Sequence, residues 1–148
     1  MKRFRFRLEA ALRLRAFTER QAEITLMEGE AALRHARDSR AGLEKEQRQH
    51  IADCVILRGA PILEPGMLIA LERWTNLLDE NAASLDEKIV TALLQRDVMK
   101  ARLMVCRRDH EALDTLRTQQ KAEHDRLAAV AEQAALDESA VLRWGRAA

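Results

Sequence analysis

Tyrosine is absent from the 148 residues, aromatic side chains make up only 3%, and there are two prolines and five glycines. That scarcity argues against a compact, loop-rich domain, whose turns consume Gly and Pro. No apolar run reaches the roughly 18 residues that a bilayer-spanning helix needs, so direct membrane insertion is not expected. Net charge is +1, so the chain as a whole is not built as a polyanion binder. Two cysteines, Cys54 and Cys106, lack metal or redox spacing and fall on apolar helical positions, where they read as small buried hydrophobes.

Chemistry-bearing patterns are missing too. There is no glycine-rich phosphate loop ending in Lys-Ser or Lys-Thr. His110-Glu111 is half of a zinc-protease motif, but position 114 is aspartate. His35, His50, His110 and His124 are too scattered to share a ligand. The acidic pairs Asp79-Glu80 and Asp86-Glu87 are adjacent, so they do not face each other across a helical turn. No nucleophile stands with a base and an orienting group. The expectation is no enzyme, no cofactor and no metal.

What is abundant is charge, at 33% of residues, together with Ala, Leu, Arg, Glu and Gln, the composition of long helices and coiled coils. Leu8, Leu12, Ala22, Leu26, Leu33, Ala36, Leu43, Cys54 and Leu57 share one alternating four-three register. The same register meets Arg15, Glu19, Gly29, Arg40, Gln47 and His50, so the seam is imperfect, yet it persists for seven heptads. Gly59 is placed to end this helix, both prolines follow by position 65, and Pro65 suits a new helical first turn.

The second seam is cleaner. Leu78, Leu85, Ala92, Met99, Cys106, Leu113, Gln120, Leu127, Ala134 and Val141 are spaced by seven without a slip. Their companions are Ala82, Ile89, Arg96, Leu103 and His110, shifting beyond 113 to Leu116, Glu123, Val130, Asp137 and Trp144. The fold expected is all-α: two long helices forming an antiparallel coiled-coil hairpin as one domain over residues 1–148. Helix 1 would run from about 4 to 58, a turn from 59 to 65, and a longer helix 2 from about 66 to 144. Strict seven-residue spacing implies left-handed supercoiling. Pairing Leu57 with about Gly66 sets Leu8 beside about Thr115, which keeps the two cysteines too far apart for a disulfide. Such a hairpin leaves no room for a substrate pocket of several hundred Å³.

Three features stand out from this background. Residues 1–20 hold Lys2, Arg3, Arg5, Arg7, Arg13, Arg15 and Arg20 against Glu9 and Glu19. A mitochondrial presequence is also Arg-rich and amphipathic, but here the apolar spacing runs on in frame past Leu33. A secretory signal would need an uninterrupted apolar run after the charges, and none follows. Cations crowded at the positive end of a helix dipole are locally unfavourable, which points to an acidic partner; a solvated helix start is the alternative. The second feature is the bend, where Val55, Ile56, Leu57, Ile62, Leu63, Met67, Leu71 and Trp74 offer more apolar surface than one turn covers. They are buried by the loop folding back or form a docking patch. The third is the overshoot of helix 2, Ala128 to Trp144, with the stripe Leu127, Val130, Ala134, Val141 and Trp144. Phe4 and Phe6 are placed to cover its base.

The start Phe4-x-Phe6-x-Leu8-x-x-x-Leu12, then Glu19-x-x-Ala22-Glu23, and the late Leu136-Asp137-Glu138-x-Ala140 resemble the FliJ family of flagellar export proteins. The resemblance implies an antiparallel coiled coil like the central stalk of rotary ATPases, in the cytoplasm and peripheral to the inner-membrane export apparatus of flagellar type III secretion. It implies as partners the hexameric export ATPase, the cytoplasmic domain of the export gate membrane protein, and export chaperones. Family members place aromatics around the middle of the hairpin; here Leu43, Trp74 and Leu77 stand there with no tyrosine. On the stalk analogy, the end with both termini enters the ATPase ring. Its candidate contacts are Arg3, Phe4, Arg5, Phe6, Arg7, Arg13, Leu136, Val141 and Trp144, with Arg143 and Arg146 adding charge. Leu57, Ile62, Leu63, Met67, Leu71 and Trp74 would serve gate or chaperones. An injectisome stalk and a self-associating structural coiled coil are the alternatives. Nucleic-acid binding is not expected, because no base-stacking aromatics or zinc spacing accompany the cations.

Overall fold

The computed structural model describes residues 3–62 and 64–147, with side chains as far as residue 145. Lys2, Leu63 and the side chain of Arg146 therefore lie outside the described residues. Helix α1 spans Glu9–Arg58 and helix α2 spans Pro65–Ala147. The two pack against each other, α2 is the longer, and no strand occurs among the described residues.

Helix α1 begins at Glu9, one residue after the periodic register starts at Leu8 and about five after the expected start at about 4. An acid in the first turn suits the unpaired amides there, and Arg58 in the last turn suits the unpaired carbonyls. Residues 3–6 have no regular structure, and residues 7 and 8 form a turn. The helix stops at Arg58, but Gly59 does not end it through a left-handed conformation, since no described glycine has positive φ. Instead the Gly59 amide is shared between the carbonyls of Val55 (3.3 Å) and Ile56 (3.2 Å), and Ala60 reaches Leu57 (3.1 Å). The last turn thus tightens from α towards 3₁₀ spacing. Pro65 opens α2 at the position where a missing N–H costs nothing.

Contacts divide the chain into two compact units, Ala22–Leu103 and Met1–Gln21 with Met104–Ala148. In the first, every α1 residue of the four-three register from Ala22 to Leu57 is buried or half-buried. Leu78 (2% exposed), Ala82 and Leu43 form its core cluster, with Leu85 against them. The polar positions in the register are bridged across to α2. Arg40 Nε donates to Asp86 at 2.8 Å, Gln47 Nε2 donates to Asp79 at 3.1 Å, and His50 Nε2 lies 2.9 Å from Thr75 Oγ1. Thr75 gives its one hydroxyl proton to the Leu71 carbonyl, so His50 donates through Nε2. Partner numbers fall along α2 as they rise along α1, so the helices are antiparallel. The register differs from the sequence expectation, which set Arg40 opposite position 83 and Gln47 opposite 76; each meets a residue three further on. Gly29 sits in the seam because Met99 lies over it, and a Cβ there would come within 2.6 Å of the Met99 Sδ.

In the second unit Phe6 and Leu12 are buried, at 8% and 5% exposure. Phe4 sets its ring 5.5 Å from that of His124. Beyond Leu113 the covered positions are Asp114, Leu116, Arg117, His124 and Ala128, while Gln120, Glu123 and Leu127 are exposed. The strict heptad continuation expected from the sequence is therefore not the face that is covered. A non-helical strap lies over this part of α2, so the covered face need not follow a helix-on-helix repeat. From Ala129 to residue 145 every residue is exposed.

Candidate partner-binding surfaces

Two surfaces carry the residues singled out by sequence. At the chain start, the strap places Arg3, Phe4, Arg5 and Phe6 beside Glu9, Arg13, Arg117, Thr118 and Lys121 around an open cleft of about 1050 Å³. Its volume exceeds what the hairpin was expected to hold, but it is a surface trough open to solvent. Five of the nine lining residues are cations and one is an acid. Glu9 is drawn to Arg13 at 3.5 Å, and Arg117 is held by Asp114 at 3.1 Å. Arg3, Arg5, Arg7 and Lys121 are exposed and make no ion pair among the described residues. The strap's role divides by residue: Phe6 is an anchor buried against the helices, Phe4 is half-buried on His124, and Arg5 between them is exposed, as are Arg3 and Arg7 on either side. Phe6, a candidate contact, would have to leave the core to meet a partner.

Next to the cleft's unit-mates, Glu19 gathers two donors. His110 Nδ1 lies 2.6 Å from one carboxylate oxygen and Arg107 Nε 3.4 Å from the other, while Arg15 pairs with Asp109 at 3.4 Å. These polar seam residues, read from sequence as imperfections, are cross-helix ties. The C-terminal stretch presents Leu136, Val141 and Trp144 at 58%, 71% and 83% exposure.

At the bend, Ile62 is 85% exposed, and Met67, Trp74 and Val55 are exposed as well. Leu57 and Leu71 are half-buried and support the others. The loop therefore does not fold back over these side chains. Nearby, His50, Ile51, Thr75 and Leu78 line a mainly apolar groove of about 320 Å³ with Glu44, Gln47, Arg48 and Asp79. Cys54 Sγ lies 3.5 Å from His50 Nε2, and both cysteines are free. Among the described residues no group of His, Cys, Asp and Glu could hold a metal, and no helix is long and apolar enough to cross a membrane.

Sequence reasoning missed a set of outward apolar residues. Leu14, Phe17, Ile24 and Met27 on α1, and Val90, Leu94 and Val98 on α2, are all exposed. Their signal was present, since Ala10, Leu14, Phe17, Gln21 and Ile24 repeat the four-three spacing on a second face.

Neither curated proteins nor solved structures gave a match to this chain. The family model described as flagellar FliJ protein matches residues 4–148, essentially from the first strap phenylalanine to the last residue. With that coverage on a two-helix fold, the chain belongs to the flagellar FliJ protein family, whose members are non-catalytic structural and adaptor components of the cytoplasmic flagellar export apparatus.

Proposed function

We propose that this protein is a central stalk and adaptor that binds and stimulates the hexameric export ATPase and links it to the export gate protein and to export chaperones. The observation that supports this reading is the cationic cleft between strap and α2, where Arg3, Arg5 and Lys121 make no ion pair among the described residues. Concentrated cations without counter-charges raise the local potential and draw an acidic partner, and their contribution is to encounter rate and orientation. The ATPase ring is the acidic partner in this reading, and the exposed C-terminal stretch enters with the cleft. Ile62, Met67 and Trp74 at the bend are then available to the gate or to chaperones. Apolar side chains this exposed and this close in sequence are the anchors that a protein interface uses.

The deciding experiment is the ATPase rate and ring assembly of the cognate export ATPase with and without this protein. Stimulation should fall when Arg5, Arg7 and Arg13 are changed to Glu, with helicity unchanged by circular dichroism. A chain truncated after Ala128 should lose stimulation while keeping its fold, because every residue from Ala129 to 145 is exposed. Unchanged stimulation in both variants would overturn the ATPase assignment. Ile62→Asp with Met67→Asp should impair only gate or chaperone binding; full binding would overturn that half.

A further inference from the structure

Two exposed helix faces in the same compact unit match each other in spacing and oppose each other in charge. The first is the outer face of α1, turned away from the seam. Ala10, Leu14, Phe17 and Gln21 follow one another at intervals of four, three and four, with Leu14 and Phe17 each 60% exposed. At about 100° per residue, Arg13 and Arg20 border this stripe, Arg13 with Glu9 drawn to it at 3.5 Å. The second is the C-terminal stretch of α2. Val130, Ala134, Asp137 and Val141 repeat the same four, three, four spacing, with Val130 and Val141 at 61% and 71% exposure. Asp137 lies within that stripe and Glu138 borders it, whereas Arg143 falls on the opposite side of the helix. Arg126, near its start, is already taken by Glu123 at 3.0 Å. Asp137 accepts a hydrogen bond from Gln133 at 2.9 Å, which holds the carboxylate beside the stripe.

We propose that a second copy of this chain covers both faces. The C-terminal stretch of each copy docks on the outer α1 face of the other, giving an isologous dimer in which every contact is made twice. Small residues (Ala10, Ala134) alternate with large ones (Leu14, Phe17, Val130, Val141), as interlocking helix surfaces require. Pairing the two C-terminal stretches directly would instead bring Asp137 and Glu138 of both copies together, and like charges across a helix pair are unfavourable. This dimer does not rest on the ATPase reading. It uses some of the same residues, so a copy engaged in it is withheld from the ring, and the two states exclude each other.

The test is sedimentation equilibrium of the full chain between about 1 and 200 µM at moderate salt, where a dimer's population depends on protomer concentration. A concentration-dependent dimer is expected. Leu14→Glu with Phe17→Glu, both largely exposed, should weaken it about a hundredfold with helicity retained. Asp137→Arg with Glu138→Arg should weaken it about tenfold, and adding Arg13→Glu with Arg20→Glu should restore it. A monomer throughout the range overturns the proposal. So does a dimer indifferent to Leu14 and Phe17 but lost on Val130→Glu with Val141→Glu, which would mean direct pairing of the C-terminal stretches. Failure of the charge swap to restore association also overturns it. ATPase stimulation, measured on the same variants, reports separately on the stalk.

Discussion

The two compact units close their seams with different chemistry. In Ala22–Leu103, Leu43, Leu78 and Ala82 pack together and Leu33 and Leu103 are buried, each at most 8% exposed, while Arg40, Gln47 and His50 bridge to α2 at the polar positions. The other unit buries Phe6 and Leu12, and then relies on Glu19 with His110 and Arg107, and on Arg15 with Asp109. Aliphatic burial stabilises in proportion to the area removed from water, whereas half-exposed ion pairs contribute little net free energy but reject misaligned partners. Aliphatic burial holds the helices together, and the polar pairs, present in both units, set where they align.

Leu78→Ala should have the largest effect, because Leu78 is the least exposed core residue and has Leu43 and Ala82 around it. A loss of about 3 kcal/mol by denaturant unfolding is expected. Phe6→Ala should cost less overall, about 1–2 kcal/mol, since an irregular strap can relax around the change. Its local effect should be plain as faster tryptic cleavage after Arg5 and Arg7. An equal global cost for the two variants would erase the contrast between the units. Glu19→Gln leaves His110 and Arg107 without their shared carboxylate and should cost about 1 kcal/mol. If it costs as much as Leu78→Ala, the polar seam is a core in its own right. Gly42→Ala meets nothing within 4 Å and should stabilise by about 0.5–1 kcal/mol through helix propensity. Gly29→Ala should gain clearly less, because Met99 must move. The smallest effect is expected at Glu123, whose carboxyl is held below its usual range by the hydrogen bond and charge of Arg126. A lowered carboxyl value stabilises the fold above the ordinary carboxylate range and ceases to do so as pH falls through the folded value. Glu123→Gln should therefore lower the thermal midpoint slightly at pH 7 and make no difference in strong acid.

Much of the fold was legible in the sequence, since four-three spacing identifies the buried stripe whatever its partner. Arg40, Gln47 and His50 sat in that stripe and proved to be seam residues with cross-helix partners. The offset between helices was not legible to better than three residues. Sliding one four-three stripe along another by three or four positions again opposes apolar to apolar, so periodicity alone scarcely prefers one register. The distinction comes from single pairs such as Arg40 with Asp86, where the hydrogen bond and charge of Asp86 push the guanidinium pKa up. The late start of α1 was hidden because Leu8 gives no polar cap signal before Glu9. On the candidate surfaces, the cations and bend residues were visible as composition. The outer stripe through Leu14 and Phe17 is the weaker signal, because Gln21 interrupts it and its first member is only an alanine. The anchoring role of Phe6 depends on a strap conformation that no periodicity encodes.

The ring contact of Phe4 with His124 joins residues that lie 120 positions apart in the chain. Contacts near the bend, such as His50 with Thr75, close a loop of only 25. Closure entropy grows with loop length, so until the intervening helices have formed, the strap's contact is the costlier one to make. With the helices in place it remains held by few side chains, and it should open well before they separate. Arg3 and Arg5 travel with it. A partner that needs the closed strap binds only the fraction of molecules that have it closed, and its apparent affinity is reduced by that fraction. The partner's first effect on the protein would then be to hold a strap shut, visible as amide protection over residues 3–8 before any change within the helices.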